Sequence, residues 1–554
     1  MFSLTNKDCQ LNLFSSTHTF LSGRSLKVYE DSRGWHNLFR EQVTLRIDEN
    51  IFRPLFCNDN GAPNVSIRVL ISMMILKESR GWSDLQLFEE CRFNILVRSA
   101  LGLSNMDDPL PALSTYYLLR KRIVDWEKEG HENLIEEVFS QVTQSQVIEY
   151  QISGKNIRMD SKLIGSNIAW YSRYELIHEI LRKAYPCIKS QLCSLLLSES
   201  ELALMERIAG ECGDKVVYRS SKAEVESKMA ELGMLIYKLK RQMNDHPSEN
   251  MQTLFRVFQE QYIENEGNIM PRRKEEITAD SIQSPHDTDC HYRNKDGNKI
   301  KGYSINVTET CDTDHLNLIT NVQVDVASSA DCNFLEQAIT STQAIVAQKI
   351  ATVNTDGAYH SPENQDYCKE KEIDLVLGAI QGKPPRYDLV LDENNQLAVT
   401  DLQTNTIIPS IKITSGKKKD QIKWKIRNAE GKYRYFTQKE IDTCLLRKQI
   451  ASRTVEELNV RNNVEATIFQ LGYHYSNDKS RYRGLEKHKI WANARCLWIN
   501  FVRILKFKLN KLFNHIQKVK NTAYLCLFVI NIIETVFLMY AIKNFYPKTQ
   551  RNEV

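Results

Sequence analysis

The sequence lacks the patterns that identify several classes of protein. Its 13 cysteines include no Cys-x-x-Cys pair and no Cys/His grouping at the spacing of a zinc site, which excludes a disulfide scaffold and a structural zinc module. Neither a Walker loop nor a G-x-G-x-x-G turn is present, so a nucleotide cofactor has no support. Met1 to Leu13 has no basic stretch and no apolar run, so we expect an unsecreted, cytoplasmic protein with reduced thiols.

A strong excess of one charge is also absent, because 73 Lys and Arg residues are balanced by 69 Asp and Glu residues, for a net charge of +4. This composition excludes a disordered or mucin-like chain. The 554 residues are too many for one hydrophobic core, and this length predicts about three or four structural units. Whether the protein binds nucleic acid depends on where the basic residues concentrate.

One long apolar run, Tyr524 to Ile542, approaches the roughly 20 residues that cross a bilayer. Asn531 and Glu534 interrupt this run, and a carboxylate at mid-membrane is costly. We therefore expect a C-terminal helix packed in a core or a subunit interface, and no membrane partner. A membrane-spanning helix is the alternative.

The first part of the chain has a helical pattern, with apolar residues recurring from Ser66 to Val124. Ser114 can cap a helix that carries three consecutive basic residues, Arg120, Lys121 and Arg122. This pattern predicts an N-terminal helical DNA-binding domain over residues 1–150. The alternative for the basic triplet is a solvated charged face.

Two aspartates follow short predicted strands. Lys155 to Met159 is a predicted strand that ends on Asp160, and the buried run Ile350 to Asn354 is soon followed by Asp356. An aspartate in such a place is usually a turn or cap residue, so the order of the surrounding elements decides its interpretation.

That order predicts the fold class. Alternation at Tyr303 to Val307 and at Thr320 to Val326 indicates an antiparallel pair of strands, and Phe334 to Ile345 a helix. Ser361-Pro362 begins another helix, and Ile373 to Leu377 is a further strand. Strand, hairpin, helix, strand, helix, strand and final helix is the order of an α/β RNase-H-like core with a mixed sheet.

The final helix of this order resumes at Val455 and carries Arg461 and Glu465 one turn apart on one face. Glu465 can therefore face the two aspartates and complete a set of three carboxylates, the ligands that Mg²⁺ prefers. Glu486 is the rival third acid; the arginine one turn before Glu465 favours the latter.

Two insertions and a basic tail complete the pattern. Val225 to Met243 has the apolar seam of a helical hairpin, which favours core packing over a subunit contact, and residues 383–450 are turn-rich and β-like. Lys417 to Lys419 is an exposed basic knot in this second insertion. From Lys487 to Lys520 there is no Asp or Glu, and Trp491, Trp498, Phe501 and Phe507 lie among the basic residues, so this helix can bind phosphates, pack in the core, or both.

Three segments around the acids resemble the catalytic segments of bacterial insertion-sequence DDE transposases, namely Met159-Asp160-Ser161-Lys162, Thr355-Asp356-Gly357-Ala358-Tyr359 and Arg461-Asn462-Asn463-Val464-Glu465. Gly81 to Leu87, Leu101 to Leu103 and Leu113 to Thr115 are similar to the helical domain that precedes the core in that family. The resemblance extends from Ile51 to Ile504 in motif-sized matches separated by insertions.

The resemblance implies a site and a reaction. Asp160, Asp356 and Glu465 would be the catalytic residues and would hold two Mg²⁺ ions, or Mn²⁺ in their place, for cutting transposon ends and joining their 3′-hydroxyls to target DNA. Double-stranded DNA and a homodimer or larger assembly are the implied partners. A nuclease without strand transfer and an inactive DNA-binding remnant are the alternatives.

The family's extended signature is incomplete in this chain. Leu458 and Gly472 stand where the family has Tyr and Lys around the Arg-x-x-x-Glu segment. Tyr473, Lys479, Arg481 or Arg483 can substitute in touching phosphate. The predicted DNA-binding residues are Arg120, Lys121, Arg122, Lys162, Arg461, Arg481, Arg483 and Lys487.

The predicted domain organisation has seven parts. These are the helical domain 1–150, the first part of the core 151–185, a helical insertion 186–290, the second part of the core 291–382, a β-rich insertion 383–450, the C-terminal core helices 451–520 and an apolar helix and tail 521–554.

Overall fold

The computed structural model describes residues 1–4, 16–57, 61–265, 267–313, 315–380, 382–414, 422–428 and 430–520. The predicted apolar helix Tyr524 to Ile542 and the basic knot Lys417 to Lys419 lie outside these residues. Among the helices of the described ranges, none is both long and apolar enough to cross a bilayer.

The helices begin with an N-terminal set that confirms the predicted helical character of the first part of the chain. This set is α1 (Ser16–Phe20), α2 (Gly23–Glu30), α3 (Trp35–Gln42), α4 (Ile67–Arg80), α5 (Asp84–Phe93), α6 (Ile95–Leu101), α7 (Leu113–Lys128) and α8 (Leu134–Tyr150). Local signals set these bounds: the Ser66 hydroxyl accepts from the Val69 amide to start α4, and Gly81 ends α4 in the left-handed region with φ +66°.

The remaining helices are α9 (Arg173–Lys189), α10 (Glu199–Gly210), α11 (Gly213–Tyr218), α12 (Lys222–Met243), α13 (Glu249–Gln261), α14 (Leu335–Val346), α15 (Pro362–Glu370), α16 (Gln438–Ser452), α17 (Val455–Asn459), α18 (Asn463–Gly472) and α19 (Leu485–Lys520). The strands are β1 (Asn156–Gly165), β2 (Tyr262–Asn265), β3 (Asn268–Pro271), β4 (His291–Lys295), β5 (Asn298–Thr310), β6 (Ile319–Val326), β7 (Thr352–Thr355), β8 (Asp374–Leu377), β9 (Tyr387–Leu391), β10 (Leu397–Asp401), β11 (Thr406–Ile408), β12 (Ile411–Thr414), β13 (Ile422–Arg427) and β14 (Tyr433–Thr437).

The central sheet is mixed, as the RNase-H-like prediction requires. Its strand order is β4-β5-β1-β7-β8, and β6 pairs with β5 beyond the end of β4. The β5–β6 and β5–β1 pairs are antiparallel, whereas β1–β7 and β7–β8 are parallel. The predicted antiparallel pair, the helix before the second aspartate and the strand after it are all confirmed.

One detail of the prediction is wrong: β1 does not end on Asp160 but continues to Gly165. The reason is its partner, because the long strand β5 pairs with β1 from Ile157 as far as Gly165. A long antiparallel neighbour keeps the backbone of β1 extended past the point where its parallel neighbour stops.

The two insertions have their own cores. In the helical insertion, α12 and α13 form the predicted hairpin and pack with α9 around Leu232, Ile236, Leu239 and Leu254, all fully buried. This burial is what core packing, the favoured interpretation, requires. In the β-rich insertion, β9 to β14 form two three-stranded sheets that share a small core with α16 around Trp424 and Phe436.

The long helix α19 joins the helical set to the sheet. Its buried aromatic residues Trp491, Trp498 and Phe501 lie in the same hydrophobic cluster as α3, α4, α8 and one face of β5 and β6. The Asn500 side chain accepts from the Ile319 amide at 2.7 Å and donates to the Ile319 carbonyl at 2.8 Å, which fixes the helix on the edge strand β6. These three aromatic residues are therefore core residues.

Candidate active site and basic cleft

The parallel pairing of β1 and β7 brings the two predicted aspartates side by side. The pairing runs from Asn156 opposite Thr352 to Arg158 opposite Asn354. Two residues further along each strand lie Asp160 and Asp356, so the same register sets them on neighbouring strands at about 5 Å spacing. Asp356 directly follows the end of β7, where the chain turns away from the sheet.

The turn after β7 is capped by the Asp356 carboxylate. The Asp356 side chain accepts from the Ala358 amide at 2.9 Å, which caps a short 3₁₀ turn over Gly357–Tyr359. A Cβ added at Gly357 would lie 1.9 Å from the Ala379 carbonyl oxygen, so only glycine fits there. The Tyr359 hydroxyl, which is buried, donates to Asn306 of β5 at 2.6 Å and ties this turn to the sheet.

The electrostatics show that the two aspartates interact. Burial raises the pKa of Asp160 to about 6; the charge of Asp356 raises it too, against the lowering effects of the Ser161 amide and of Arg461 and Lys295. Burial, followed by the charge of Asp160, also raises the pKa of the Tyr359 phenol. The residues around Asp160 thus supply less positive charge than two neighbouring carboxylates need.

Glu465 lies at the edge of this site. It is in the first turn of α18, and its side chain is 62% exposed and accepts from the Arg461 guanidinium at 3.2 Å. Arg461 also acts electrostatically on Asp160, and its guanidinium packs close to Gly378, just after β8. Arg461 therefore links Glu465 to the aspartate pair.

The side chains fit a divalent cation in part. Two neighbouring carboxylates with a deficit of positive charge are the oxygen ligands that Mg²⁺ or Mn²⁺ prefers. Within the ranges that the structure describes, however, no three Asp, Glu, His or Cys side chains are close enough together to hold a metal ion. Glu465, the predicted third ligand, is paired with Arg461 instead.

Glu486, the rival third acid, lies elsewhere. It begins α19, burial raises its pKa, and the charged groups that act on it are Lys128, Asp289 and Glu127. None of these belongs to the aspartate pair.

A second acidic centre beside the site has no sequence signal that distinguishes it. Glu309 of β5 is fully buried and accepts from Arg158 at 2.6 Å, from Arg503 at 2.6 Å and from the Thr467 hydroxyl at 2.7 Å. Arg158 also donates to the Val460 carbonyl at 3.1 Å. This network fixes α18 and the turn before it over the face of β1 that carries Asp160.

Four of the predicted DNA-binding residues meet in one cleft. Arg481, Arg483 and Lys487 precede or begin α19, and Arg120 belongs to α7, yet all four line a cleft of about 580 Å³ together with Lys77 of α4. Lys121 lies in an adjoining groove that shares Arg120 and Lys487 and adds Lys128. Asp84, paired with Lys77 at 2.5 Å, is the acidic residue of the cleft.

The other predicted DNA-binding residues lie apart from this cleft. The Arg122 guanidinium lies 5.2 Å from the centroid of the Phe56 ring, and Lys162 pairs with Asp478 at 2.7 Å. Arg461 lies beside the aspartate pair. Lys77 is not among the predicted DNA-binding residues, because the cleft joins segments that are far apart in the chain. The Arg481 side chain, for example, donates to the backbone carbonyl of Trp82, 399 positions earlier, at 3.1 Å.

Two family models of transposase domains match the chain. A transposase domain (DUF772) matches residues 29–122, which span α3 to most of α7, and a transposase DDE domain matches residues 252–501. The second match includes Asp356 and Glu465, whereas Asp160 lies upstream of it. No curated protein and no solved structure matches the chain. A helical transposase domain and a DDE domain are matched in this order, on an RNase-H-like mixed sheet, and together these findings support an insertion-sequence DDE transposase.

Proposed function

We propose that this transposase cuts the phosphodiester bond at transposon ends and joins the freed 3′-hydroxyl to target DNA. The observation that carries the proposal is the pair of aspartates, Asp160 and Asp356, set side by side by the register of two parallel strands. The reaction is in-line displacement at phosphorus, first by water and then by the 3′-hydroxyl.

The metal is assigned to the acidic residues. The family uses divalent metal ions. In our proposal Asp160 and Asp356 hold two Mg²⁺ ions, with Mn²⁺ as a substitute, and Glu465 is the third carboxylate ligand. Two such ions, when bound, stabilise charge on the attacking and the leaving oxygens.

In this proposal Arg461 is paired with Glu465 before the metal binds and with DNA afterwards. Its bond to Glu465 must break before Glu465 can act as a ligand, and the guanidinium is then available to a DNA phosphate near Asp160. An arginine–carboxylate pair with the carboxylate 62% exposed is weakly stabilising, so this exchange requires little free energy.

The basic cleft gives the DNA a path to the aspartates. After β1 the backbone hydrogen-bonds to the segment before α19, through Ser480 to Gly165 at 2.8 Å and Asn167 to Tyr482 at 2.8 Å. Asn167 lines the cleft and lies two residues beyond the end of β1 at Gly165, so it is at most about 25 Å along the chain from Asp160. Lys162, on the same face of β1 as Asp160 by strand alternation, lies between them.

A plasmid assay tests the proposal. The chain is incubated with Mg²⁺ and a labelled DNA carrying the inverted repeats that flank its gene; cleavage at the repeat and, with a 3′-hydroxyl donor, a joined product are expected. Cleavage without joining favours the nuclease alternative. No cleavage with Mg²⁺ or Mn²⁺, combined with intact DNA binding, favours the inactive remnant.

The assembly state is a separate part of the proposal. Transposition joins two ends, so we expect two or more copies of the chain on paired transposon ends. Light scattering of the chain with end DNA measures this, and a single copy on each DNA would contradict it.

A further inference from the structure

The β-rich insertion presents one charged and aromatic face that the catalytic proposal does not use. In the sheet formed by β12, β13 and β14, strand alternation sends Trp424, Ile426 and Phe436 into the core of the insertion, where each is buried. The residues between them point to the opposite face. The packing of this sheet inside the insertion is therefore complete without that face.

Basic residues form a column on the outer face. Lys423, Lys425 and Arg427 alternate along β13, about 7 Å from one to the next. None of the three forms an ion pair with any residue that the structure describes. The described strands themselves, Ile-Lys-Ile-Thr, Ile-Lys-Trp-Lys-Ile-Arg and Tyr-Arg-Tyr-Phe-Thr, contain no acidic residue.

Aromatic residues form the neighbouring column. The register sets Tyr435 opposite Lys425 and Tyr433 opposite Arg427. Tyr433 is 59% exposed and Tyr435 48%, although large aromatic side chains normally bury most of their surface. The ammonium of Lys425 lies 3.6 Å from the centroid of the Tyr433 ring, so cation and ring act as one unit.

Across the sheet the face ends on an apolar edge. Ile411 of the edge strand β12 is opposite Lys425 and is 65% exposed. Cations in a row beside open aromatic rings and an apolar edge are the combination that binds single-stranded nucleic acid, where phosphates pair with the cations and unpaired bases stack on the rings.

We propose that the outer face of β12, β13 and β14 binds unpaired DNA. The inference rests on the proposed function and deepens it, because a strand that has been cut and separated from its complement presents unpaired bases to the protein. Three cations with the spacing of alternate strand residues neutralise about three phosphates, and the two tyrosines provide stacking for about two bases. Recognition of this kind tolerates any sequence.

The test measures binding of a fluorescent oligothymidine and of a duplex of equal length to the full chain by anisotropy. The double variant Tyr433→Ala and Tyr435→Ala is expected to weaken oligothymidine binding about ten-fold or more and duplex binding about two-fold or less. Tyr218→Ala is the matched control, because that tyrosine is 92% exposed in α11, outside this sheet. Since both tyrosines are on a solvent face, the melting temperature is expected to stay unchanged.

A pair of charge-removing variants tests whether the cations of this face take part in binding. Lys425→Gln is expected to weaken oligothymidine binding several-fold, whereas Lys432→Gln, which removes a charge that is paired with Glu430, is expected to leave it unchanged. Equal loss of duplex and oligothymidine binding in the tyrosine variant would overturn the proposal in favour of a plain phosphate surface. Oligothymidine binding that equals that of the unmodified chain, or none by the unmodified chain, would also overturn it.

The experiment is independent of catalysis. Asp160→Asn is expected to bind oligothymidine as the unmodified chain does, because Asp160 lies in the central sheet. If a chain lost cleavage but bound oligothymidine normally, the result would concern the proposed reaction and not this face. If the tyrosine variant cleaved DNA normally and its oligothymidine binding were unchanged, the proposed unpaired-DNA face alone would be refuted.

Discussion

Asp160 and Glu309 are carboxylates on neighbouring strands, and the protein shifts their pKa values in opposite directions. Glu309 is fully buried, yet the charges of Arg503 and Arg158 outweigh the effect of burial and lower its pKa. Asp160 is less buried, but burial and the charge of Asp356 raise its pKa to about 6. The one carboxylate has its cations built into the fold, and the other does not.

This difference is the one expected between a carboxylate with a structural role and a carboxylate proposed to bind a metal ion. A buried carboxylate with two arginines and a hydroxyl has its hydrogen-bonding capacity filled and positions the elements that donate to it. A pair of carboxylates short of positive charge is stabilised by a cation from solution. The difference in pKa therefore favours Asp160 and Asp356 as the proposed metal ligands, whereas Glu309 positions α18.

The largest expected effect tests the ligand side of the comparison. Asp160→Asn or Asp356→Asn is expected to reduce Mg²⁺-dependent cleavage by about 10³-fold or more, because a neutral amide cannot hold the cations that stabilise charge at phosphorus. Glu465→Gln is expected to do the same. Gel assays of end cleavage at equal bound DNA measure this.

The matched control for these variants is Glu486→Gln. That carboxylate is half-buried beside Lys128, so its loss is expected to leave the cleavage rate within a few-fold of the original. If Glu486→Gln abolished cleavage and Glu465→Gln did not, the rival assignment of the third acid would be correct.

The next effect tests the structural side. Glu309→Gln removes the charged partner of Arg158, which is buried, and of Arg503, which is partly buried, and breaking a buried ion pair costs about 3–5 kcal/mol. Asp160→Asn relieves repulsion from Asp356, so in the absence of metal it is expected to leave stability unchanged or raise it. Urea denaturation followed by circular dichroism compares the two variants. A smaller loss for Glu309→Gln than for Asp160→Asn would reverse the two roles.

The sequence predicted the fold well where periodicity and capping act locally. The helical N-terminal set, the hairpin of α12 and α13 and the order of the central strands follow from such signals, and the structure confirms them. The end of β1 was predicted wrongly, because it depends on β5, a strand more than 130 residues later. Asp160 and Asp356 lie together as their order in the chain suggested, and their catalytic role stays a prediction.

The parts that sequence reasoning missed all depend on distant contacts. Glu309 is one of 69 acidic residues, and only the approach of Arg503, 194 positions later, distinguishes it. The predicted DNA-binding residues do not include Lys77, because a single lysine in an apolar helix carries no local sequence signal for DNA binding. The pairing of Arg461 with Glu465 follows from their four-residue spacing, but which way the carboxylate faces depends on how α18 sits on the sheet.

The basic cleft gives a smaller effect on binding. Changing Arg481, Arg483 and Lys487 to Gln removes about three phosphate contacts and is expected to lower the salt dependence of duplex binding by about 2.7 in log–log slope. Cleavage of DNA at saturating protein is expected to persist. Anisotropy titrations from low to high salt measure the slope, and the same number of changes at Arg219, Lys349 and Lys371, which are surface cations outside the cleft, is the control. An unchanged slope in the cleft variant would remove the cleft from the DNA path.

The smallest effect is the pH dependence of stability, where Glu309 and a second buried acid, Glu78, are expected to differ in sign. Burial raises the pKa of Glu78, which accepts from the hydroxyls of Tyr475 and Tyr482. Its contribution is present below the unfolded pKa near 4.5 and is lost as pH rises through the folded value. Glu309 has a lowered pKa, so its contribution is present above about 4.5 and is lost as pH falls through the folded value.

Comparing each acid with its glutamine variant isolates these terms, at about 1.4 kcal/mol for every unit by which the folded and unfolded pKa values differ. The stability of the unmodified chain relative to Glu78→Gln should fall as pH rises from acid to neutral, and relative to Glu309→Gln it should rise over the same change. Melting curves between pH 4 and 8 measure both differences. Two differences of the same sign would show that the arginines around Glu309 do not set its charge state, and the contrast between a carboxylate with built-in cations and one without would have to be abandoned.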